Sequence, residues 1–255
     1  MIAAGIDIGS ITAKAAVMRD GSLLGTKVIF TGYNAEKAGR KVLEELLGEI
    51  GLPVSEVERI VSTGYGRNSV DFADRALTEI VCHGAGVRFL NPGIRLVIDV
   101  GGQDSKAIAL DPEGRVEDFA MNDKCAAGTG RFLEVMARAL EVDLERFGEL
   151  SLGADRPADI SSLCTVFAES EVISLIAKGT SRQNIVAGIH ESVASRVCAL
   201  VRRLGIRQPV MMTGGVARNI GVVRALERKI ALPIEVSPYA QVNGALAAAL
   251  MAARV

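Results

Sequence analysis

A short pattern occurs twice in this chain and limits what it can fold into. Residues 5–14 read Gly-Ile-Asp-Ile-Gly-Ser-Ile-Thr-Ala-Lys, and residues 97–106 read Val-Ile-Asp-Val-Gly-Gly-Gln-Asp-Ser-Lys. Aligned on Asp7 and Asp99, the flanking apolar residues match, Gly9 matches Gly101, and Lys14 matches Lys106. Each copy is an apolar run that ends in Asp-x-Gly and passes into small polar residues. That pattern predicts a strand, a tight turn and a returning strand. Glycine at such a turn lets backbone N–H groups close on an anion. An Asp at the strand end can hold Mg²⁺, directly or through water. One copy alone would fit an ordinary hairpin, because Asp and Gly are common turn residues. Two copies in matching register favour a pair of loops that grip a nucleotide phosphate chain from both sides.

The rest of the composition narrows the class. With 255 residues, 49% hydrophobic and 23% charged, the chain can bury one large core or two small ones. A net charge of −1 with both signs mixed gives no electrostatic case for nucleic acid or a membrane surface. The longest apolar stretch, Gly244–Ala253, is too short and too rich in alanine to span a bilayer. Met1 leads straight into a predicted strand, so a cytoplasmic protein is expected. The cysteines stand at 82, 125, 164 and 198 and form no C-x-x-C pair, which leaves a zinc-ribbon or thioredoxin reading unsupported.

Along the chain, Ile2–Ile8, Lys14–Arg19 and Leu23–Ile29 read as a hairpin meander, with Asp20-Gly21 turning between the last two. Asn34–Ile50 carries apolar residues at Ala38, Val42, Leu46 and Ile50, the spacing of an amphipathic helix. Val57–Thr63 is a strand that ends at Thr63-Gly64-Tyr65-Gly66, and Val81–Phe89 fits the end of a helix. The order restarts at Leu96 with strand, Asp-x-Gly turn, strand and the turn Asp111-Pro112-Glu113-Gly114. This order implies an internal duplication, with its seam near Asn91-Pro92-Gly93. A third glycine motif, Val210-Met211-Met212-Thr213-Gly214-Gly215-Val216-Ala217-Arg218-Asn219, reads as strand, turn and helix start. A helix N-terminus there favours an anion or a polar nucleoside edge.

The three glycine motifs resemble the phosphate-1, phosphate-2 and adenosine segments of the actin, Hsp70 and sugar-kinase superfamily. Gly244-Ala245-Leu246-Ala247-Ala248-Ala249 resembles that fold's second connecting helix. Two further segments, Asn122-Asp123-Lys124-Cys125-Ala126-Ala127-Gly128-Thr129-Gly130-Arg131-Phe132 and Cys164-Thr165-Val166-Phe167-Ala168-Glu169-Ser170-Glu171-Val172, resemble ATP-dependent activators of 2-hydroxyacyl-CoA dehydratases. These activators belong to the BadF/BadG/BcrA/BcrD ATPase family, with the ATPase subunits of benzoyl-CoA reductase and the reductases of double-cubane cluster proteins. The resemblance implies an α/β, actin-like fold of two ribonuclease H-like subdomains around a nucleotide cleft. Subdomain I would comprise residues 1–95 plus 240–255, and subdomain II residues 96–239.

Cys125 precedes a predicted helix over Thr129–Leu140 and adjoins Lys124. Cys164 stands before the apolar-acidic run Val166–Ala177, after Ser161-Ser162. Thiols at helix N-termini favour the thiolate, a soft-metal ligand. A buried small hydrophobe is the competing reading for either. Two ligands cannot complete a four-iron cluster, but a twofold dimer supplies four. The resemblance implies that arrangement: one [4Fe–4S] cluster bridging a homodimer through Cys125 and Cys164 of each subunit. Cys198 reads as core beside Ile189, Val193, Val197, Leu200 and Leu204. Cys82 lies in an apolar helix end, and His83 and His190 read as surface or hydrogen-bonded structural residues. A single-chain site using all four cysteines is the minority alternative.

The same resemblance implies ATP/ADP with Mg²⁺ held through water by Asp7 and Asp99. Gly9, Ser10, Ile11 and Thr12 would take one face of the phosphates, and Gly101, Gly102 and Gln103 the other. Lys14 either points to the nucleotide or is a solvated strand residue. Gln103 or Asp104 would orient the hydrolytic water. Lys178 and Arg182 resemble a basic helix edge that touches adenosine, with Gly214, Gly215 and Asn219, while Gln241 and Asn243 would line the far wall. Implied partners are a ferredoxin or flavodoxin as electron donor and a dehydratase as acceptor. A small-molecule kinase of the same fold, such as an amino-sugar kinase, would instead use Asp104 or Asp123 beside the acceptor hydroxyl. It has no need of Cys125 and Cys164. A filament or chaperone would need assembly patches or a peptide-binding domain, and neither is visible.

Overall fold

A computed structural model describes residues 1–161 and 164–254, and the chain divides into two compact units. In chain order the first unit opens with β1 (Ile2–Ile8), β2 (Thr12–Arg19), β3 (Ser22–Phe30), α1 (Ala35–Glu49), β4 (Arg59–Thr63), β5 (Arg75–Ala76) and α2 (Glu79–Leu90). The chain continues through β6 (Leu96–Val100), β7 (Ser105–Leu110), β8 (Val116–Asn122), α3 (Gly130–Ala139), α4 (Leu144–Leu152), α5 (Thr165–Ala177) and α6 (Arg182–Leu204). It ends with β9 (Val210–Thr213), α7 (Ile220–Ile230), β10 (Ile234–Val236) and α8 (Asn243–Ala252). The first unit comprises Met1–Ile94, Leu110–Glu117 and the residues from Ser237 on; the second comprises Arg95–Ala109 and Asp118–Val236. Residues 110–117, assigned by sequence to the second subdomain, thus group with the first. The cause is local: Gly84 of α2 packs so closely on Val116 and Leu110 that an added Cβ would lie 2.9 and 3.3 Å from their methyl groups.

The duplication is complete at the level of topology. The first sheet runs β3-β2-β1-β4-β5 and the second β8-β7-β6-β9-β10, so each places its first strand between an antiparallel neighbour and a parallel one. In the first unit β1 is buried along its whole length. One face packs on α1, whose Val42, Leu43, Leu46 and Leu47 meet Ile6, Ile8, Ala15 and Val17. Burial of each such large side chain contributes about 1.5–3 kcal/mol. The other face takes α8, where a Cβ on Gly5 would lie 2.0 Å from the Ala245 carbonyl oxygen and 2.2 Å from the Ala249 nitrogen. That approach explains the alanine run in α8, since larger side chains would hold helix and strand apart. In the second unit α4, α6 and α7 pack on one another, and α3 packs on α5. No helix among the described residues is long and apolar enough to cross a membrane.

Candidate functional site

Each Asp-x-Gly segment forms the hairpin expected of it. In the first, Gly9 N–H donates to the Thr12 carbonyl at 3.0 Å, while Thr31 braces the loop through its hydroxyl to Gly9 O at 2.8 Å and its N–H to Ile11 O at 2.9 Å. Asp7 faces Lys14 across the β1–β2 ladder, with Lys14 Nζ 3.2 Å from the carboxylate and the lysine side chain only 13% exposed. The solvated-strand reading of Lys14 is therefore set aside. In the second hairpin Asp99 faces Lys106 in the same register. Lys106 Nζ lies 3.1 Å from Asp99 and 2.8 Å from Asp104, and is fully buried. Gly101 N–H donates to Asp104 O at 2.9 Å, and a Cβ on Gly101 would lie 2.3 Å from Asp104 Oδ1. Asp104 is thus folded over the glycine and ion-paired, whereas Gln103 is exposed.

The repeat reaches further than the sequence revealed. Asp7 pairs in register with Thr63, and Asp99 with Thr213. The next residues, Gly64 and Gly214, both have φ of 86°. Added Cβ atoms there would sit 2.3 Å from Asp7 Oδ1 and 3.0 Å from Asp99 Oδ1, and 2.6 and 2.3 Å from the carbonyls of Ile8 and Val100. Only glycine combines that backbone with that approach. Thr213 donates its hydroxyl to Asp99 at 2.8 Å. Sequence reasoning treated Thr63-Gly64 as a plain strand end; a Thr-Gly pair closing the parallel strand of each half was the available signal.

Other anticipated residues have different surroundings. After Gly214-Gly215 the chain makes a 3₁₀ turn, and α7 starts only at Ile220. Asn219 is its N-cap, accepting from Val222 N–H at 3.1 Å, with its amide nitrogen 3.3 Å from His190 Nε2. Both ends of its side-chain amide are thus engaged within the fold. Because the amide donates, His190 Nε2 must accept, and the ring proton belongs on Nδ1. Burial holds the His190 pKa down at about 3, with Arg228 pushing the same way and Glu191 opposing. Asn243 is wholly buried and donates to the His83 carbonyl at 3.1 Å, so it lines no open wall. His83 and His190 are both buried, which decides between the two structural readings. Gln241 is half-buried in a 3₁₀ turn of the first unit. Arg182 lines a groove of about 910 Å³ with Arg138, Arg146 and Glu149, while Lys178 lines a separate depression of about 330 Å³ with Asp159 and Glu171. The two cations are not brought to one pocket.

The cysteines divide into two pairs. Cys82 and Cys198 are buried, and burial pushes both thiols up, Cys82 to about 11. Cys125 and Cys164 are exposed. Cys164 is the N-cap residue of α5. Cys125 instead sits in the turn before α3, whose N-cap is Thr129, and Lys124 is paired with Asp123 at 3.3 Å. The helix-terminus argument therefore applies to Cys164 and only weakly to Cys125. Ser161 bonds Glu171 of α5 through both its N–H and hydroxyl, at 3.0 and 2.6 Å, while Ser162 lies outside the described residues. Among the described residues no three His, Cys, Asp or Glu side chains cluster as a metal site.

Residues 4–252 match the BadF/BadG/BcrA/BcrD ATPase family. The chain belongs to that family. The activator of lactoyl-CoA dehydratase from Anaerotignum propionicum is 49% identical over 99% of this chain and 97% of its own length. A crystal structure of component A of the Acidaminococcus fermentans (R)-2-hydroxyglutaryl-CoA dehydratase matches with TM-score 0.96 and 45% identity, over 100% of this chain and 98% of that one. The Clostridium difficile activator of 2-hydroxyisocaproyl-CoA dehydratase, solved with bound ADPNP, matches with TM-score 0.95 and 47% identity, over 99% and 94%. The fold of this family ATPase is accordingly the α/β, actin-like one.

Proposed function

We propose that this family ATPase is an activator that couples ATP hydrolysis to delivery of a low-potential electron. The electron would come from a ferredoxin or flavodoxin and pass to a 2-hydroxyacyl-CoA dehydratase, with cytoplasmic homodimers sharing one [4Fe–4S] cluster. The observation that carries the reading is the division of the cysteines: two exposed where α3 and α5 are approached, two buried. The donor chemistry fits, because thiolates hold four-iron clusters and four are required. Two per chain then call for a second copy about a twofold axis. Val166 and Phe167, two and three residues beyond Cys164 and both 66% exposed, are apolar surface that such a copy would cover. When bound, the cluster would supply a one-electron centre; Cys125 and Cys164 would hold it.

For the nucleotide, Gly9, Ser10, Ile11 and Thr12 would line one side of the phosphates and Gly101, Gly102 and Gln103 the other; the N–H groups of Gly9 and Gly101 are already donated to Thr12 O and Asp104 O, so the donors to phosphate would come from the residues after them. Asp7 and Asp99 are already paired with Lys14 and Lys106, which suits holding Mg²⁺ through its waters rather than directly. Gln103 is the better candidate to orient the attacking water for β–γ cleavage, because Asp104 is engaged by Lys106. Gly214 and Gly215 would approach the nucleoside. Service to benzoyl-CoA reductase or a double-cubane cluster protein would use the same residues.

Anaerobic purification with iron, sulfide and solution mass measured together tests the reading. About two irons per chain in a dimer supports it, and Cys125→Ser or Cys164→Ser should lose them while Cys82→Ala and Cys198→Ala keep them. A monomer without iron that phosphorylates a hydroxyl acceptor would replace it with the kinase.

A further inference from the structure

The first N–H groups of a helix have no partner inside it and are usually taken by a side-chain cap or by water. Those of α3 are taken otherwise. Thr129, its N-cap residue, makes no capping bond; its hydroxyl turns back to the Ala126 carbonyl at 2.5 Å. Gly130 N–H instead donates to Gly101 O at 2.9 Å, and Arg131 N–H to Gly102 O at 2.8 Å. The second Asp-x-Gly loop is therefore gripped through its carbonyls by the start of α3. The approach is close: a Cβ on Gly130 would lie 3.1 Å from Gly101 O, so a larger residue there would make the loop give by a few tenths of an ångström.

From that grip to Cys125 the backbone is closed by hydrogen bonds without a break. Thr129 N–H donates to Ala126 O at 3.1 Å. Asn122 then clasps Cys125 on both sides: its Oδ1 accepts from Cys125 N–H at 3.3 Å, and its Nδ2 donates to Cys125 O at 2.8 Å and to Ala127 O at 3.4 Å. Gly128, at φ 88°, lies against the Arg196 side chain, which backs the turn.

We propose that residues 122–131 form a backbone relay between the second phosphate loop and Cys125, with Asn122 as the positioning residue that ties Cys125 to it. The peptide geometry gives the coupling its sign. The carbonyl of Gly101 shares a peptide unit with the N–H of Gly102, and that of Gly102 with the N–H of Gln103. An anion taken by those N–H groups polarises the same units and strengthens the bonds their carbonyls accept from Gly130 and Arg131. Nucleotide phosphate thus tightens α3, the Ala126 turn and the Asn122 clasp together. The inference rests on the nucleotide and cluster assignments proposed above, and its test separates them.

The test uses the full-length protein, freed of iron and kept reduced. Iodoacetamide labelling of each cysteine is followed by mass spectrometry without nucleotide and with Mg·ADPNP. Cys82 and Cys198, both buried, serve as internal controls. Cys125 in the wild type should label more slowly with Mg·ADPNP by about 2- to 10-fold, the factor corresponding to one ordinary backbone hydrogen bond. Asn122→Ala should label at a single, faster rate with or without nucleotide, while still binding ADPNP with an affinity lowered by no more than that same factor. Asn122→Asp keeps the acceptor for Cys125 N–H but loses both donors, and should respond partially. A wild-type Cys125 rate that ignores bound ADPNP overturns the relay without any variant. A full nucleotide response in either Asn122 variant overturns the role of Asn122. Absence of iron from the anaerobic wild type removes the cluster reading and leaves the labelling result to be read on its own.

Discussion

Lys106→Met offers the sharpest test of how the second hairpin is held. Lys106 is fully buried and is within ion-pair distance of two carboxylates, Asp99 at 3.1 Å and Asp104 at 2.8 Å. Removing one member of a buried pair leaves the other charge uncompensated and costs about 3–5 kcal/mol. Asp99 has its carboxylate side chain only 3% exposed, so water can do little for it, while Asp104 at 22% recovers part of its solvation. The cost should therefore come mainly from Asp99, softened by the Thr213 hydroxyl that still donates to it. For a chain of this size the expected loss lowers the melting temperature by roughly 6–20 °C. Lys14→Met is the internal control. Lys14 has one carboxylate neighbour in range and a partly exposed side chain, so its loss should cost clearly less. Scanning calorimetry of wild type, both single variants and Lys106→Met/Asp99→Asn decides the matter. The asparagine can still accept from Thr213 and carries no charge, so the double variant should recover at least half of the loss. A Lys106→Met protein within about 1 kcal/mol of wild type, or a double variant no better than the single, would refute the claim that an unpaired Asp99 is what the lysine prevents.

The geometry sets two further outcomes. Gly64→Ala and Gly214→Ala each put a Cβ within 2.3 Å of Asp7 Oδ1 or the Val100 carbonyl on a backbone of positive φ, so each should lose nucleotide affinity and several degrees of melting temperature; equilibrium binding of ADPNP and calorimetry check both, and Gly21→Ala, also at positive φ but with nothing near its Cβ, should cost less. His190 is held neutral, with its folded pKa near 3 against an ordinary 6.5, so the unfolded chain binds a proton that the folded chain refuses between those values. Stability should therefore be flat with respect to this group above pH 6.5 and fall as pH drops below it, by up to about 1.4 kcal/mol per pH unit. Urea midpoints between pH 4.5 and 7 should show that slope in the wild type and a reduced one in His190→Gln; equal slopes would mean other groups carry the dependence.

How much of this was legible depends on the range of the interaction concerned. The meander β1–β3 and helix α1 arise from turns and periodicity within a few residues, and the strand ends at Asp7 and Asp99 are where the motif puts them. The match of Lys14 with Lys106 was visible, but its meaning was not: the cross-strand register turns a spacing of seven residues into an ion pair. What sequence could not show is contact between backbones remote in the chain. Gly5 under α8, Gly64 and Gly214 over the aspartates, and Gly130 on Gly101 each answer a neighbour that no local pattern announces. Asn219 and Asn243 were placed at the nucleotide by the resemblance alone; their histidine partners lie 29 and 160 positions away, out of reach of any local pattern. Helix α4 went unread because its buried face is little more than Phe147 and Gly148.

Topology also explains why one half of a duplicated fold would carry chemistry that the other lacks. Both sheets have the same strand order, and both aspartates have the same lysine and Thr-Gly neighbours. The halves diverge after the third strand. Beyond β3 the chain passes through residues 31–34 into α1, whereas beyond β8 it makes α3, α4 and α5 before reaching α6, the counterpart of α1 in preceding the parallel strand. Both exposed cysteines lie in that inserted stretch. It is not appended loosely, because its first helix begins on the carbonyls of Gly101 and Gly102. An insertion at that point would put any ligand it carries under the influence of the loop proposed to hold phosphate, and the same insertion after β3 would have tied it to the other hairpin instead. The position of the insertion in the repeat, more than the cysteines themselves, is what would make a metal centre responsive to nucleotide.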